Sequence, residues 1–403
     1  MVRTMNKERF TGFSDAIIAI EVTILILEIE PPEQATQAAV LKQAGSFAAF
    51  TASFLLIMAT WYFHHNIINV AHRVTFPVYL ANTLWIFVMS LFPLATAWVG
   101  RYPLAFWPEC LFILVTLVWM GAYSLLVYSL GVANPDQLHE FYALGNSREN
   151  LLWRFGIVIA VLLVLPWWPI AGIIGQILLG VASAVLTLRN NNRHQDINKS
   201  RLIAFTDGII AIIVTLLVLQ LAVPAGIHVH DLLTQGVKFA TYVISFLFIM
   251  IVWYNHHDLF NGSGRITTIV YWDNVVWLLF LSFFPYVTAF VGEFPERRLA
   301  EWLYVVVQLL WSLSYTKMAR DLQRTNPANG EHIRFVGKLN GYNATALYGG
   351  LIVAVVLVYF VPISGLLVTI FLAGFNVIRA WHDAQRQDHH YVEKREEKHG
   401  TRE

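Results

Sequence analysis

Charge is scarce in this chain. Asp, Glu, Lys and Arg make up 13% of its 403 residues, about half the roughly 25% of an ordinary soluble domain. Cysteine is nearly absent: Cys110 stands alone. That excludes an internal disulfide framework and a multi-thiolate metal site. The net charge of +1 supplies no basic field for DNA or RNA, which argues against a nucleic-acid partner. No glycine-rich phosphate loop occurs, so ATP-driven work has no support. A Thr-Val-Gly-Tyr-Gly carbonyl filter is also missing. No nucleophile–base pairing stands out, so neither an enzyme, a catalytic residue nor a cofactor is expected. What is plentiful is apolar: 57% of residues belong to the set AVILMFWYC, and mean hydropathy is +0.56. A soluble fold of this size could not hide that much apolar surface. The composition excludes a soluble enzyme and a disordered chain and leaves a polytopic, all-α membrane protein.

About 20 mostly apolar residues carry a helix across the hydrocarbon core. Twelve stretches qualify: 9–29, 45–68, 77–99, 106–130, 152–168, 169–188, 201–223, 235–260, 268–292, 299–321, 343–361 and 362–382. The first begins at a polar segment with no small-residue cleavage site after it, unlike a removable signal peptide. With the N-terminus inside, 22 of the 27 Lys and Arg fall on inner segments, which predicts both termini in the cytoplasm. Residues 383–403 read as a charged, His-rich cytoplasmic tail.

The chain repeats itself at a constant offset of 192, predicting six-helix repeats over 1–192 and 193–382. Eleven of the twenty positions in 9–28 are identical in 201–220. The register persists through Trp61/Trp253, His64-His65/His256-His257, Asn82/Asn274, Trp85/Trp277 and Phe92-Pro93/Phe284-Pro285. Six spans is an even number, so both repeats enter from the same side and are parallel. Parallel repeats suit a ring about a central pore. Two first helices enclose no water path, whereas a homodimer supplies four.

Ala16, Ile20, Thr23 and Leu27 share one narrow stripe of the first helix, and Gly208, Ile212, Thr215 and Leu219 repeat it. An isoleucine ring can close a pore by dewetting, and a threonine ring can offer oxygens to a partly dehydrated cation. Ordinary helix packing would use the same residues. Glu21 and Glu28 break the repeat, facing Ile213 and Gln220. Glu28 lies near the outer mouth, and Glu21, deeper, calls for a polar neighbour or pore water. Arg9, Ser14, Asp15, His64, His65 and Asn82 all fall in the inner half of the membrane on this topology, as do their second-half partners. A charge there costs about 2.5–3.5 kcal/mol on insertion scales, so Asp15 needs partners. Asp15 lies roughly opposite Ile20, away from the stripe. Three readings stay open: a polar clasp tying the first span to the second and third, a proton relay through Asp15 and His65, and a histidine metal site. The last is poorly supported, since adjacent histidines on a helix point to two faces and no thiolate or second carboxylate completes a set.

Arg9-x-x-x-Phe13-Ser14-Asp15, repeated as Arg201-x-x-x-Phe205-Thr206-Asp207, resembles the signature of the transmembrane protein 175 family, the endosomal and lysosomal potassium channels and their prokaryotic relatives. The resemblance covers nearly the whole chain. It implies a homodimeric channel for potassium and other monovalent cations, lined by the first helices, with no carbonyl filter. It places the hydrophobic constriction on Ile20 and Ile212, the selectivity threonines on Thr23 and Thr215, and Leu27 and Leu219 further along. It makes Arg9, Phe13, Ser14, Asp15 and their partners structural. Thr206 for serine and Gly208 for alanine are departures, and Glu21 leaves the pore pseudo-fourfold. No organelle address is present, so a prokaryotic plasma membrane is the default, with the endosome or lysosome implied for a eukaryotic member. A secondary transporter is the alternative. Carriers usually break their helices near the midplane, and the first spans carry neither Gly nor Pro between Ile17 and Ile29.

Overall fold

The computed structural model describes residues 5–144, 148–189, 196–221, 223, 226–337, 341–372 and 374–375. Every regular element among them is a helix. The first repeat comprises α1 (Lys7–Ile24), α2 (Gln37–Lys42), α3 (Ala44–Val70), α4 (Phe76–Met89), α5 (Phe92–Arg101), α6 (Phe106–Ala133), α7 (Leu138–Leu144), α8 (Arg148–Val164) and α9 (Ala171–Arg189). The second comprises α10 (Lys199–Leu219), α11 (Val229–Leu233), α12 (Gly236–Asn261), α13 (Thr268–Ser282), α14 (Phe284–Glu293), α15 (Arg298–Thr325), α16 (Gly330–Val336) and α17 (Gly341–Phe360), followed by a helical stretch over 364–372.

Eight spans among the described residues are long and apolar enough to cross a membrane, with α4–α5 and α13–α14 each counted as one. The chain is an integral membrane protein. The twelve expected stretches are not all of that kind. The apolar parts of α8 and α17, Leu152–Val164 and Tyr348–Phe360, are shorter. α15 has the length, but polar side chains such as Gln308 and Ser312, and Lys317, Arg320 and Asp321 near its end, lower its hydropathy. The expected 362–382 span is described only in part, and the 383–403 tail lies outside the described residues.

Two expected helices are not continuous. The third and ninth spans break at Ser90–Leu91 and at Phe283. Pro93 and Pro285 sit in the first turns of α5 and α14, where a ring without an N–H is tolerated but cannot continue the helix before it. The first span, free of Gly and Pro, still changes character: α1 ends at Ile24 and tightens into a 3-10 turn over Leu25–Glu28. α10 stays α-helical to Leu219. Both helices start on the same cap, the Asn6 and Asn198 side-chain oxygens accepting from the Arg9 and Arg201 amides at 2.9 and 3.1 Å.

The repeats share one continuous core, with Trp61, Trp85, Trp119 and Trp277 wholly buried. α1 and α10 pack side by side at the centre, and α13 lies against α3 and α9. Tyr271 of α13 donates to the Met58 carbonyl at 2.6 Å, and Trp272 Nε1 donates to Thr187 Oγ1 at 2.8 Å. The α1–α10 approach is close because small residues meet: a Cβ on Gly208 would touch that of Ala19 at 3.7 Å.

Candidate functional site

Each repeat gathers its polar residues into hydrogen-bonded contacts, and four side-chain pairs of the first network recur in the second. In the first, the Ser14 hydroxyl donates to the Phe10 carbonyl and accepts from Asn82 Nδ2 at 3.0 Å. Asn82 Oδ1 therefore faces His64 Nε2 at 3.2 Å, which makes that nitrogen the protonated one. Trp61 Nε1 donates to Asp15 Oδ1 at 2.9 Å, and His65 Nε2 meets Asn69 Nδ2 at 2.9 Å. The second network repeats this with Asn274 donating to Thr206 (2.9 Å), His256 against Asn274 (3.1 Å), Trp253 donating to Asp207 (2.9 Å) and Asn261 against His257 (2.7 Å). His64 stacks on Trp85 and His256 on Trp277, with ring centroids 4.9 and 4.7 Å apart. The adjacent histidines thus serve different neighbours. Among the described residues no group of three His, Cys, Asp or Glu is placed to hold a metal.

One part of the motif crosses between repeats. Arg201 of α10 donates through Nε to Asp15 Oδ2 at 2.7 Å and through Nη2 to Asp15 Oδ1 at 2.8 Å. The same Nη2 reaches His64 Nδ1 at 3.2 Å, and Nη1 reaches the His65 carbonyl at 3.3 Å. Phe205 lies flat on Trp61, centroids 4.4 Å apart and planes 9° apart. A forked, bidentate pair shielded by an aromatic stack is a strong way to fix two helices in a low-dielectric setting. Arg9 and Phe13, the first-repeat counterparts, are placed differently: Arg9 is exposed and Phe13 is 66% exposed.

The stripe is divided. Ala16 and Ile20 are exposed, Ile20 at 43%, and Leu27 is half-buried. Gly208 and Ile212 are half-buried, and Thr215 and Leu219 are exposed. Thr23 departs from its expected place on this face. It is wholly buried, and its hydroxyl turns back to the Ala19 and Ile20 carbonyls, both at 2.9 Å. A 3-10 turn that α10 lacks begins two residues on, at Leu25. Glu21 is nearly buried and makes no side-chain hydrogen bond to a described residue, so the polar neighbour expected for it is not found among them; Ile213 in the same position of α10 is core.

Two cavities flank this helix pair. One of about 590 Å³ opens between the N-terminal ends of α1 and α10, lined by Asp15, Ala16, Ala19, Arg201, Ala204 and Gly208 among others. One of about 540 Å³ lies at the opposite ends, with Glu30, Glu33, Leu217, Gln220, Lys238 and Glu293 on its walls. Ile20 and Ile212 line neither and fall between them along the helices.

A second repeated pair escaped sequence reasoning. Glu109 and Glu301 are fully buried and stand 192 apart. Each accepts a backbone N–H at 3.0 Å, Glu109 from Ile173 at the start of α9 and Glu301 from Leu366 at the start of the 364–372 helix. Identity at the repeat offset was the signal that could have found them.

The family model described as the endosomal/lysosomal potassium channel TMEM175 matches residues 9–93 and 201–285, the segments that hold both networks. A potassium channel of Chryseobacterium sp. (strain P1-3) is 33% identical over 135 residues, covering 33% of this chain and 69% of that one. A potassium channel of Streptomyces collinus is 33% identical over 133 residues, covering 31% of this chain and 65% of that one. The endosomal/lysosomal proton channel TMEM175 of Homo sapiens is 23% identical over 402 residues, covering 84% of this chain and 79% of that one.

Proposed function

The chain belongs to the family of the endosomal/lysosomal potassium channel TMEM175, and from that premise we propose that it is an ion channel passing potassium and other monovalent cations. The conduit runs between four first helices, α1 and α10 of two copies. Each copy crosses the membrane twelve times as two parallel repeats, 1–192 and 193–382. Both termini and the 383–403 tail are cytoplasmic. Ile20 and Ile212 form the constriction. Ala16 and Gly208 lie on its cytoplasmic side, and Thr215, Leu27 and Leu219 beyond it.

The observation that carries this reading is the pair of cavities at opposite ends of the α1–α10 pair, separated by the stretch holding the two isoleucines. Polar and charged groups line both cavities, while the stretch between presents apolar side chains on a face that one subunit leaves uncovered. Water and a hydrated cation can enter such ends and are stopped where the walls are apolar and close, which is how a dewetted gate works. Thr215 keeps a hydroxyl on the exposed face of α10, whereas Thr23 in this conformation is withdrawn from it. Asp15 and Asp207 act as anchors that hold the lining helices and not as ion ligands.

Recording from purified protein in a planar bilayer under a potassium gradient tests the reading. Discrete current steps, far above the turnover of a carrier, are expected. Strictly coupled exchange with no unitary conductance would replace the channel with a transporter.

A further inference from the structure

α8 carries a cation where the second repeat carries none. Arg154 sits in the second turn of α8, and the residue 192 further on is Ala346. Its guanidinium carbon lies 4.2 Å from the centroid of the Phe63 ring and 5.3 Å from that of Trp153. Phe63 precedes His64 on α3, so this charge stands at the level of the first repeat's polar network. No carboxylate answers it. Arg154 forms no ion pair and no hydrogen bond with a described residue, and its Nε is buried without an acceptor. An arginine at membrane depth is costly and marks a place where a partner is met.

Arg154 shares a cavity of about 30 Å³ with Tyr123, Phe63, Thr60, Trp119 and Ser183. That is room for one or two oxygen-sized groups. Tyr123 is 5% exposed, and its hydroxyl has no partner among the described residues. The second repeat fills the same place with its own side chains. Tyr315, the counterpart of Tyr123, donates to the Asn255 carbonyl at 3.0 Å. Tyr348 of α17 enters beside it, donating to the Ser312 carbonyl at 3.1 Å and meeting the Thr316 hydroxyl. Subtracting 192 from Tyr348 gives Gly156, two residues after Arg154, where a Cβ would meet nothing within 4 Å. The first repeat thus has space in place of a plug, and a cation in place of an alanine.

The guanidinium and the Tyr123 hydroxyl both donate, so what they can take is an acceptor, and the unpaired positive charge makes it an anion. The guanidinium fork matches two oxygens of a phosphate. Beside it the outer face of α8 is apolar and uncovered: Leu152, Ile159 and Leu163 are exposed. We propose that this pocket binds an anionic phosphate, with Arg154 and Tyr123 donating to its free oxygens. A phospholipid head group and the free ion share that chemistry, and the uncovered apolar face favours the lipid, whose acyl chains would lie along α8. The site stands apart from the α1–α10 pair and needs neither ion passage nor a second copy.

Thermal melting of the delipidated, detergent-purified chain tests it, since a ligand held only by the folded state raises the midpoint. Dioleoylphosphatidylglycerol and inorganic phosphate are titrated separately into the parent, Arg154→Ala and Gly156→Tyr. The first variant removes the charge, and the second installs the plug of the other repeat and keeps the charge. The parent midpoint is expected to rise with phosphatidylglycerol, and the same rise is expected to need about tenfold more lipid, or beyond, in either variant. A variant-sensitive rise with phosphatidylglycerol and none with inorganic phosphate assigns the lipid; such a rise with both assigns the free ion. Titrations that coincide in parent and variants for both probes would overturn the inference, as would a parent that neither probe shifts. Should either variant fail to fold, Tyr123→Phe keeps the ring, removes one donor and is read by the same comparison, with a several-fold loss expected.

Discussion

Asp15 shows how much one side chain carries here. It holds Trp61 and both arms of Arg201, with 10% of its side chain exposed. Removing it strands a guanidinium that is itself only 9% exposed. Breaking a buried pair from one side typically costs about 3–5 kcal/mol. Asp15→Ala is therefore expected to lower the thermal midpoint of the detergent-solubilised protein sharply. Asp207→Ala loses the Trp253 bond and no ion pair to a described residue, about 1 kcal/mol. Equal losses would mean that the two repeats are anchored alike inside one subunit. Phe205→Ala and Phe13→Ala should split the same way in that measurement. The first empties a stacked, buried site at about 3–5 kcal/mol, and the second trims an exposed ring.

Among the elements, the broken helices and one close crossing set the geometry of each repeat. α3 and α5 approach so nearly that a Cβ on Gly100 would lie 2.8 Å from the Ser46 Cα, and one on Gly45 would lie 2.8 Å from the Gly100 carbonyl oxygen. Backbone atoms cannot swing aside, so Gly100→Ala must push the helices apart, at about 1–3 kcal/mol. The second repeat is looser: a Cβ on Gly292 would meet Lys238 atoms at 3.6 and 3.7 Å, ordinary contact. Gly292→Ala is expected within about 0.5 kcal/mol of the parent. Chemical denaturation of both variants in mixed micelles, read by tryptophan fluorescence, checks the difference. The Ser53–Thr96 hydroxyl pair at 2.6 Å lies along the same α3–α5 seam, and Ser245–Thr288 repeats it at 2.8 Å, so the seam is built twice but closed tightly once.

For the molecule as a whole, the proposed function turns on whether the uncovered face of the α1–α10 pair borders water. Ile20→Asn with Ile212→Asn places amides where the apolar walls lie. If that stretch is a dewetted constriction, amides let water through, and potassium flux into protein-loaded vesicles is expected to rise. Unchanged or lower flux from well-folded protein would place the gate elsewhere. Glu21, nearly buried on α1 with Ile213 opposite it in the repeat, makes the proposed conduit two-fold and not four-fold at that level.

Composition and periodicity determined most of the layout before any coordinates. Scarce charge and long apolar runs required helices in lipid, since only internally hydrogen-bonded backbone survives there. The 192-residue offset required two copies of one unit, and so the Ser14–Asn82, His64–Asn82 and Asp15–Trp61 bonds each have a twin, whereas those of Arg201 to Asp15 and His64 have none among the described residues. Three matters were decided only in the tertiary structure. The breaks at Ser90 and Phe283 follow from prolines whose apolar surroundings read as unbroken span. Thr23 is buried although helical spacing sets it on one stripe with the exposed Ala16 and Ile20, because what covers a helix face is settled by packing. Arg201 chose Asp15, 186 residues away, over anything on its own repeat. Periodicity places a side chain on a face of its own helix, but which helix that face meets is settled by packing, where burial and charge pairing across the whole chain are satisfied together.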